Sequence, residues 1–488
     1  MPVGNQVQLI TYPDSLGGNL PALRRVLHDC FPGAFPGGIH ILPPFPSSGD
    51  RGFAPLTYDQ IDPAFGTWED VRRINETSPV MLDLMVNHMS RQAPPVKDFL
   101  ARGAGSPYAD LFIPPEKVWP QGQPPSGDLE RLFLRRPNPF SRYLIEATGE
   151  QISLWTTFGK QDPSEQVDLD WKSPVYRRFI EGALEGFQRR GIGLIRLDAV
   201  GYVVKKAGTS CFFVEPEIWD YLDWIRGLAV PLGIELLPEV HAPPAIQEAL
   251  AARGFWIYDF ILPYATLEAL LTGEPAFLRD YLRRRPGRQF TMLDCHDGIP
   301  IKPDLDGLYA PERARRVVEA CLARGANLSR IVSPSHRDPD GFDVHQVRCS
   351  FSSALGENED AYIAARAVQL FAPGVPQVYC VGLLAGANDL DAVRRTGEGR
   401  EINRHSFSME EIDAAVRRPV VQRLLRLIRL RNEHPAFSGA FEVLPANHFE
   451  LRLAWRSAAA SCELTVDFRT AKAVVVWTDA GALVHETF

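Results

Sequence analysis

The most constraining feature of this chain is a repeat. A short β-rich run followed by an amphipathic helix recurs until eight strands can be counted. Strands separated by helices cannot form hairpins, so they pair in parallel with the helices packed outside. The strands are expected at 6–12, 38–43, 80–88, 193–200, 235–240, 256–262, 290–297 and 375–381. Helices are expected at 20–30, 68–75, 173–190, 217–228, 266–271, 361–370 and 420–432. In the third of these, Val175, Phe179, Ile180, Ala183, Leu184 and Phe187 share one face, Ser173 and Pro174 suit its start, and Gly191 ends it. Eight such units are the count of a (β/α)8 TIM barrel, an α/β fold of about 250 residues before insertions.

Two stretches interrupt the repeat. Residues 89–170 are rich in Pro and Gly without a clear helical period, and 298–358 are irregular. The expected division is a barrel built from 1–88, 171–297 and 359–436, an inserted subdomain at 89–170, and a second loop-rich insertion at 298–358. Residues 437–488 form a small C-terminal antiparallel β domain, because 441–444, 449–455, 464–468 and 473–477 alternate apolar and polar residues.

Composition narrows the partners. A net charge of −8 argues against a nucleic-acid or membrane-surface binder. No apolar run reaches the length of a membrane span. Met1 to Asn5 lack the basic start and apolar core of a signal peptide. Seven cysteines stand singly, which suits reduced thiols in a cytoplasm better than disulfides or zinc. The expected partners are small molecules; the oligomeric state is left open.

In such barrels the chemistry sits where the strands end. The third ends Asp83-Leu84-Met85-Val86-Asn87-His88, the fourth Arg196-Leu197-Asp198, the fifth Pro238-Glu239-Val240-His241, and the seventh Asp294-Cys295-His296-Asp297. A lone Arg-x-Asp reads as a structural ion pair. Carboxylates, histidines and an arginine at one rim read as a catalytic site. Two carboxylates serve retaining glycoside transfer, one attacking the anomeric carbon while the other protonates the leaving oxygen. Asp198, beside Arg196, is expected to stay ionised as nucleophile. Glu239, with only His241 near it, is expected to carry the raised pKa of the acid. Asp297 would bind hydroxyls of the distorted sugar, and His88 and His296 would donate to hydroxyls. The histidines lack the clustered spacing of metal ligands, so no metal is expected.

These four regions, in this order, resemble the signature regions of the α-amylase superfamily, glycoside hydrolase family 13. Val7-Gln8-Leu9-Ile10-Thr11-Tyr12, Arg196 through Tyr202, Asp297-Gly298-Ile299, Pro373 through Tyr379 and Glu401-Ile402-Asn403-Arg404-His405 resemble, more narrowly, its sucrose phosphorylase group. The resemblance implies a hexosyltransferase without cofactor or metal, with Asp198 as nucleophile, Glu239 as acid/base and Asp297 as transition-state stabiliser. It also implies a glucose pocket of Asp50, Phe53, His88, Arg196, His296 and Arg400, with Gln166, Tyr202 and His241 as further substrate-binding residues.

Phosphorolysis needs cations on the leaving-group side. The stretch from Arg131 to Arg142 holds four arginines and no acid, and Asp343-Val344-His345-Gln346-Val347-Arg348 mixes cations with hydrogen-bonding groups. A solvated basic loop is the bland reading. Arg135, Arg136, Asp343, His345 and Gln346 are the phosphate and acceptor candidates, since arginine forks match phosphate oxygens. The group typically carries proline where Arg135 stands and tyrosine where His345 stands. The two added cations suit a phosphorylated acceptor, which resembles the members that use sucrose 6'-phosphate. Glucosylglycerate and sucrose phosphorylases are the rivals. A non-catalytic, carbohydrate-binding member would be expected to lose a carboxylate of the triad.

Overall fold

Helix starts along the chain are fixed by local chemistry. Asn19 accepts from the Ala22 N–H at the start of Leu20–Asp29. Thr67 and Asp70 cap Trp68–Asn75 reciprocally, and Ser173 opens Pro174–Arg189. Each helix returns the chain to the next strand. In a computed structural model, which describes residues 3–308, 310–479 and 481–488, these strands form one parallel sheet. Met1, Pro2, Tyr309 and Ala480 lie outside the described residues.

The barrel strands are β1 Gln8–Thr11, β2 Gly38–Ile41, β3 Val80–Met85, β4 Leu194–Asp198, β5 Glu235–Pro238, β6 Ile257–Asp259, β7 Gln289–Thr291 and β8 Val375–Tyr379. Their hydrogen-bonded order is β6-β7-β8-β1-β2-β3-β4-β5. Spatial order therefore follows chain order, and β5 and β6 meet to bring the sheet close to closure.

Several strands stop earlier than the sequence suggests. β3 ends at Met85, β5 at Pro238 and β7 at Thr291. Beyond these points the chains splay away from the ladder. His88–Ser90 pairs instead with Gln166–Asp168, antiparallel. Glu239, His296 and Asp297 therefore sit in loops just past the barrel strands, and His88 opens the short strand outside the barrel.

The interruptions are more regular than expected. The first contains the helix Pro94–Arg102 and an antiparallel pair, Phe140–Ile145 with Glu150–Trp155. The second holds the helix Pro311–Ala323 and a sheet in which Val344–Arg348 lies between Ile299–Pro300 and Asn327–Arg330. Five antiparallel strands close the chain, the last being Ala482–Thr487. Trp455 of that sheet donates through Nε1 to the Phe371 carbonyl at 2.7 Å, seating it on the helix Glu359–Phe371. No helix among the described residues is long and apolar enough to cross a membrane.

Candidate active site

The charged pair that opens the site is part of a buried chain of ions. Asp83 of β3 lies beside Arg196 of β4 in the ladder. Arg196 Nη1 is 2.5 Å from Asp83 Oδ1 and 2.9 Å from Asp198 Oδ1, and Nη2 is 3.7 Å from Glu239 Oε1. His40 Nε2 stands 2.8 Å from the other Asp83 oxygen. One guanidinium thus serves three carboxylates. Just past Asp198 the backbone turns left-handed at Ala199 (φ 56°), and the Ala199 N–H donates to Glu239 Oε2 at 3.2 Å. A strained turn at a strand end is common where side chains must be presented to a ligand.

A cavity of about 650 Å³ opens above these residues. Asp198, Glu239 and Asp297 line it, with Asp50, Phe53, His88, Gln166, Tyr202, His241, His296 and Arg400. Asp50 Oδ2 is 3.0 Å from Arg400 Nη1, and Asp297 Oδ1 is 3.5 Å from both Arg400 and Arg404. Burial opposes ionisation of Asp50 and Asp297. The two arginines outweigh it, holding Asp50 at about 2; at Asp297, His296 and these arginines hold the carboxyl well below its usual range. The Phe53 ring stacks on His296 with centroids 5.1 Å apart and Arg196 above it at 5.7 Å. Gly298 (φ 115°) lets the Asp297 loop approach Val344–Arg348, because a Cβ there would collide with the Val347 carbonyl.

The alpha-amylase family, described by its catalytic domain, matches residues 37–224. A sucrose 6(F)-phosphate phosphorylase of Thermoanaerobacterium thermosaccharolyticum is 55% identical over 97% of each chain. The chain belongs to the α-amylase family, in its sucrose phosphorylase group. A sucrose phosphorylase of Streptococcus mutans is 42% identical over 92% of each chain. The crystal structure of a sucrose 6F-phosphate phosphorylase from Thermoanaerobacter thermosaccharolyticum superposes with a TM-score of 0.99 at 54% identity, covering 100% of this chain and 99% of that one.

The charges around the two carboxylates are set by more neighbours than the sequence suggested. Burial raises Asp198 to about 8 against the pull of Arg196, with Glu239, Asp83 and Asp297 adding to the rise. Glu239 is equally buried, yet Arg196 and His241 bring it down to about 2. The reason is a residue no motif contains. Asp304 Oδ2 lies 2.9 Å from His241 Nδ1 and, against burial, Asp304 and Glu239 hold His241 at about 10. His241 Nε2 is 3.3 Å from Glu239 Oε1, so a cation stands beside the expected acid. The two carboxylates are coupled, through Arg196 and directly, and titrate as one pair that shares a single proton between its two titrations.

Of the phosphate and acceptor candidates, Arg135, His345 and Gln346 line the cavity. Arg136 and Asp343 do not. Arg136 turns toward its own insertion, donating to Ser141 Oγ, Thr156 Oγ1 and the Gln161 carbonyl at 3.1–3.2 Å. Asp343 pairs with Arg330 at 2.5 Å. Residues adjacent in sequence thus point different ways, and only Arg135 and His345 of these two pairs face the cavity. His345 is also no cation: burial, Arg135 and His241 push it well below its usual range. His88, expected to donate to a sugar, has Nε2 2.9 Å from the Phe53 carbonyl. Burial keeps both His88 and His296 neutral, His296 at about 3. Asp294 is structural, paired with Arg366 at 2.8 Å.

Sequence reasoning missed Phe158, Ala199, Phe212 and Asp304. Phe158 and Phe212 line the cavity around Tyr202, 5.1 and 4.8 Å from its ring. They come from separate loops and carry no spacing signal. No group of three or more His, Cys, Asp or Glu able to hold a metal occurs among the described residues.

Proposed function

We propose that this protein is a retaining glucosyl phosphorylase that reversibly converts sucrose 6'-phosphate and phosphate into α-D-glucose 1-phosphate and fructose 6-phosphate. Asp198 attacks C1 of the glucosyl unit while Glu239 gives its proton to the departing fructosyl oxygen. The β-glucosyl ester on Asp198 is then attacked by a phosphate oxygen, which returns a proton to Glu239 and restores the α configuration. Arg400 and Asp50 hold glucose hydroxyls, and Asp297 favours the oxocarbenium-like ring. For the first step the proton that the pair shares must sit on Glu239. A phosphate group placed beside His241 offsets that cation and makes Glu239 the better base, so the incoming anion favours that state.

The observation that carries this reading is Arg135. It lines the same cavity as the three carboxylates and, among the described residues, meets the Tyr202 hydroxyl rather than a carboxylate. A guanidinium with no carboxylate beside it, half-buried in the wall of a cavity, is suited to an anion. The name of the relative at 55% identity supports the same acceptor. A cytoplasmic location fits seven free cysteines, six of them buried. Phosphate release from α-D-glucose 1-phosphate with fructose 6-phosphate, fructose and glycerate tests the acceptor. Arg135→Ala is expected to cost about 10- to 100-fold in kcat/KM with fructose 6-phosphate, the worth of a charge-assisted hydrogen bond, and far less with fructose. Equal losses on both acceptors would refute the assignment.

A further inference from the structure

The acceptor side holds two histidines whose proton states are set by their neighbours. His345 Nδ1 lies 2.6 Å from the Lys302 carbonyl. A carbonyl only accepts, so Nδ1 carries the proton. Nε2 is buried without a partner and faces the cavity as a lone pair. His241 differs. Asp304 meets Nδ1 at 2.9 Å and Glu239 meets Nε2 at 3.3 Å. Carboxylates accept at both ends, so both nitrogens carry protons and the ring is a cation. Its other neighbours are neutral: Phe260 stacks on it at 4.1 Å, His345 stands edge-on at 5.3 Å, and the Gln346 amide nitrogen lies 3.3 Å from Nε2 while Gln346 Oε1 is buried without a partner, so the amide turned over accepts from the Nε2–H. Asp304 is itself buried and does not line the cavity. It reaches the site only through His241.

We propose that Asp304 is a positioning residue for the acceptor half of the site: it keeps His241 doubly protonated and fixed in orientation, so that His241 rather than His345 joins Arg135 in selecting a phosphate-bearing acceptor. This rests on the reaction proposed above. The same contact sets the proton balance of Glu239, because a neutral His241 would no longer hold that carboxylate ionised. His345 then has a complementary role. Its free Nε2 accepts from a sugar hydroxyl or a protonated phosphate oxygen, which a second cation could not do.

Full-length protein carrying Asp304→Asn or Asp304→Glu tests this by two readouts. The first is the ratio of kcat/KM for fructose 6-phosphate to that for fructose, from pH 6 to 9. Asp304→Asn is expected to lower this ratio at least tenfold at pH 8 and to introduce a titration near the ordinary histidine range, about 6.5, above which fructose 6-phosphate use falls. Asp304→Glu should recover most of the ratio. The second readout is the nitrogen-15 spectrum of the His241 ring, with both nitrogens protonated at pH 8 in the wild type. An unchanged ratio with equal losses on both acceptors, or a neutral His241 in the wild type at pH 8, overturns the proposal. The wild-type spectrum decides even if Asp304→Asn fails to fold. Wild-type protein that releases no phosphate with fructose 6-phosphate overturns the underlying reaction, a result distinct from wild-type activity with unaltered selectivity in the variant.

Discussion

Which carboxylate holds the proton here is decided one contact away from the carboxylates themselves. Asp198 and Glu239 share Arg196, and the tie is broken by His241, charged because Asp304 stands behind it. This gives a pH dependence with a definite sign. Catalysis needs one proton on the pair, an acid beside an anion. That state exists between the pair's two titrations, which lie at about 2 and about 8. As pH rises through about 8 the proton is lost and no acid remains, so kcat/KM for phosphorolysis should fall about tenfold per pH unit above it. A profile flat to pH 10 would show that some other group supplies the proton. That Asp198, Glu239 and Asp297 share one rim was legible in sequence because Asp198 ends a strand and the other two lie in the loops that follow theirs. Asp304 was not, since it folds in from the second insertion, and the charge of His241 could not be read without it.

At the scale of elements, buried ions fix how helices seat on the barrel. Arg366, on Glu359–Phe371, is fully buried and bonds both oxygens of Asp294 at 2.8 and 2.9 Å. It also reaches Tyr362 and Gln369, and Gln369 in turn donates to the carbonyls of Thr291 and Gln377. Arg366→Ala would leave Asp294 buried and uncompensated, at a cost of about 3–5 kcal/mol. Arg366→Met with Asp294→Asn should lose less, as chemical denaturation of both variants would show; equal losses would mean that packing, not charge, holds the helix. The barrel strands were readable because buried parallel strands are apolar runs between turns. Their ends were overrun, since nothing in 85–88 or 291–297 marks where the ladder gives out. The helix Pro311–Ala323 went unread although Ala314, Val317, Val318 and Cys321 carry a helical period. The final strand Ala482–Thr487 has little apolar contrast, with Leu483 mostly exposed at a sheet edge.

At the scale of the whole molecule the cavity is lined by different parts of the chain. The barrel and its short loops supply the carboxylates and the glucose side. The side proposed to take the acceptor comes from the two insertions, Arg135 from one and His345 and Gln346 from the other, with Asp304 behind them. These must be registered against each other, and Ser333 does so: its Oγ donates to the Leu132 carbonyl at 2.6 Å and accepts from the Leu134 N–H at 2.7 Å. The Phe133 N–H donates to the Ser210 carbonyl, and His336 Nε2 meets the Arg131 carbonyl, so Ser333 sits at the centre of a seam that ends one residue before Arg135. Removing its hydroxyl deletes two hydrogen bonds worth about 1 kcal/mol each without touching the cavity. Ser333→Ala should therefore raise KM for fructose 6-phosphate about 5- to 20-fold while KM for α-D-glucose 1-phosphate moves much less, as initial rates with each substrate varied in turn would reveal. A matching rise in both would mean that the seam supports the barrel rim as a whole. A rise confined to the acceptor would mean that insertions can be retuned for new acceptors while the barrel keeps its hold on glucose.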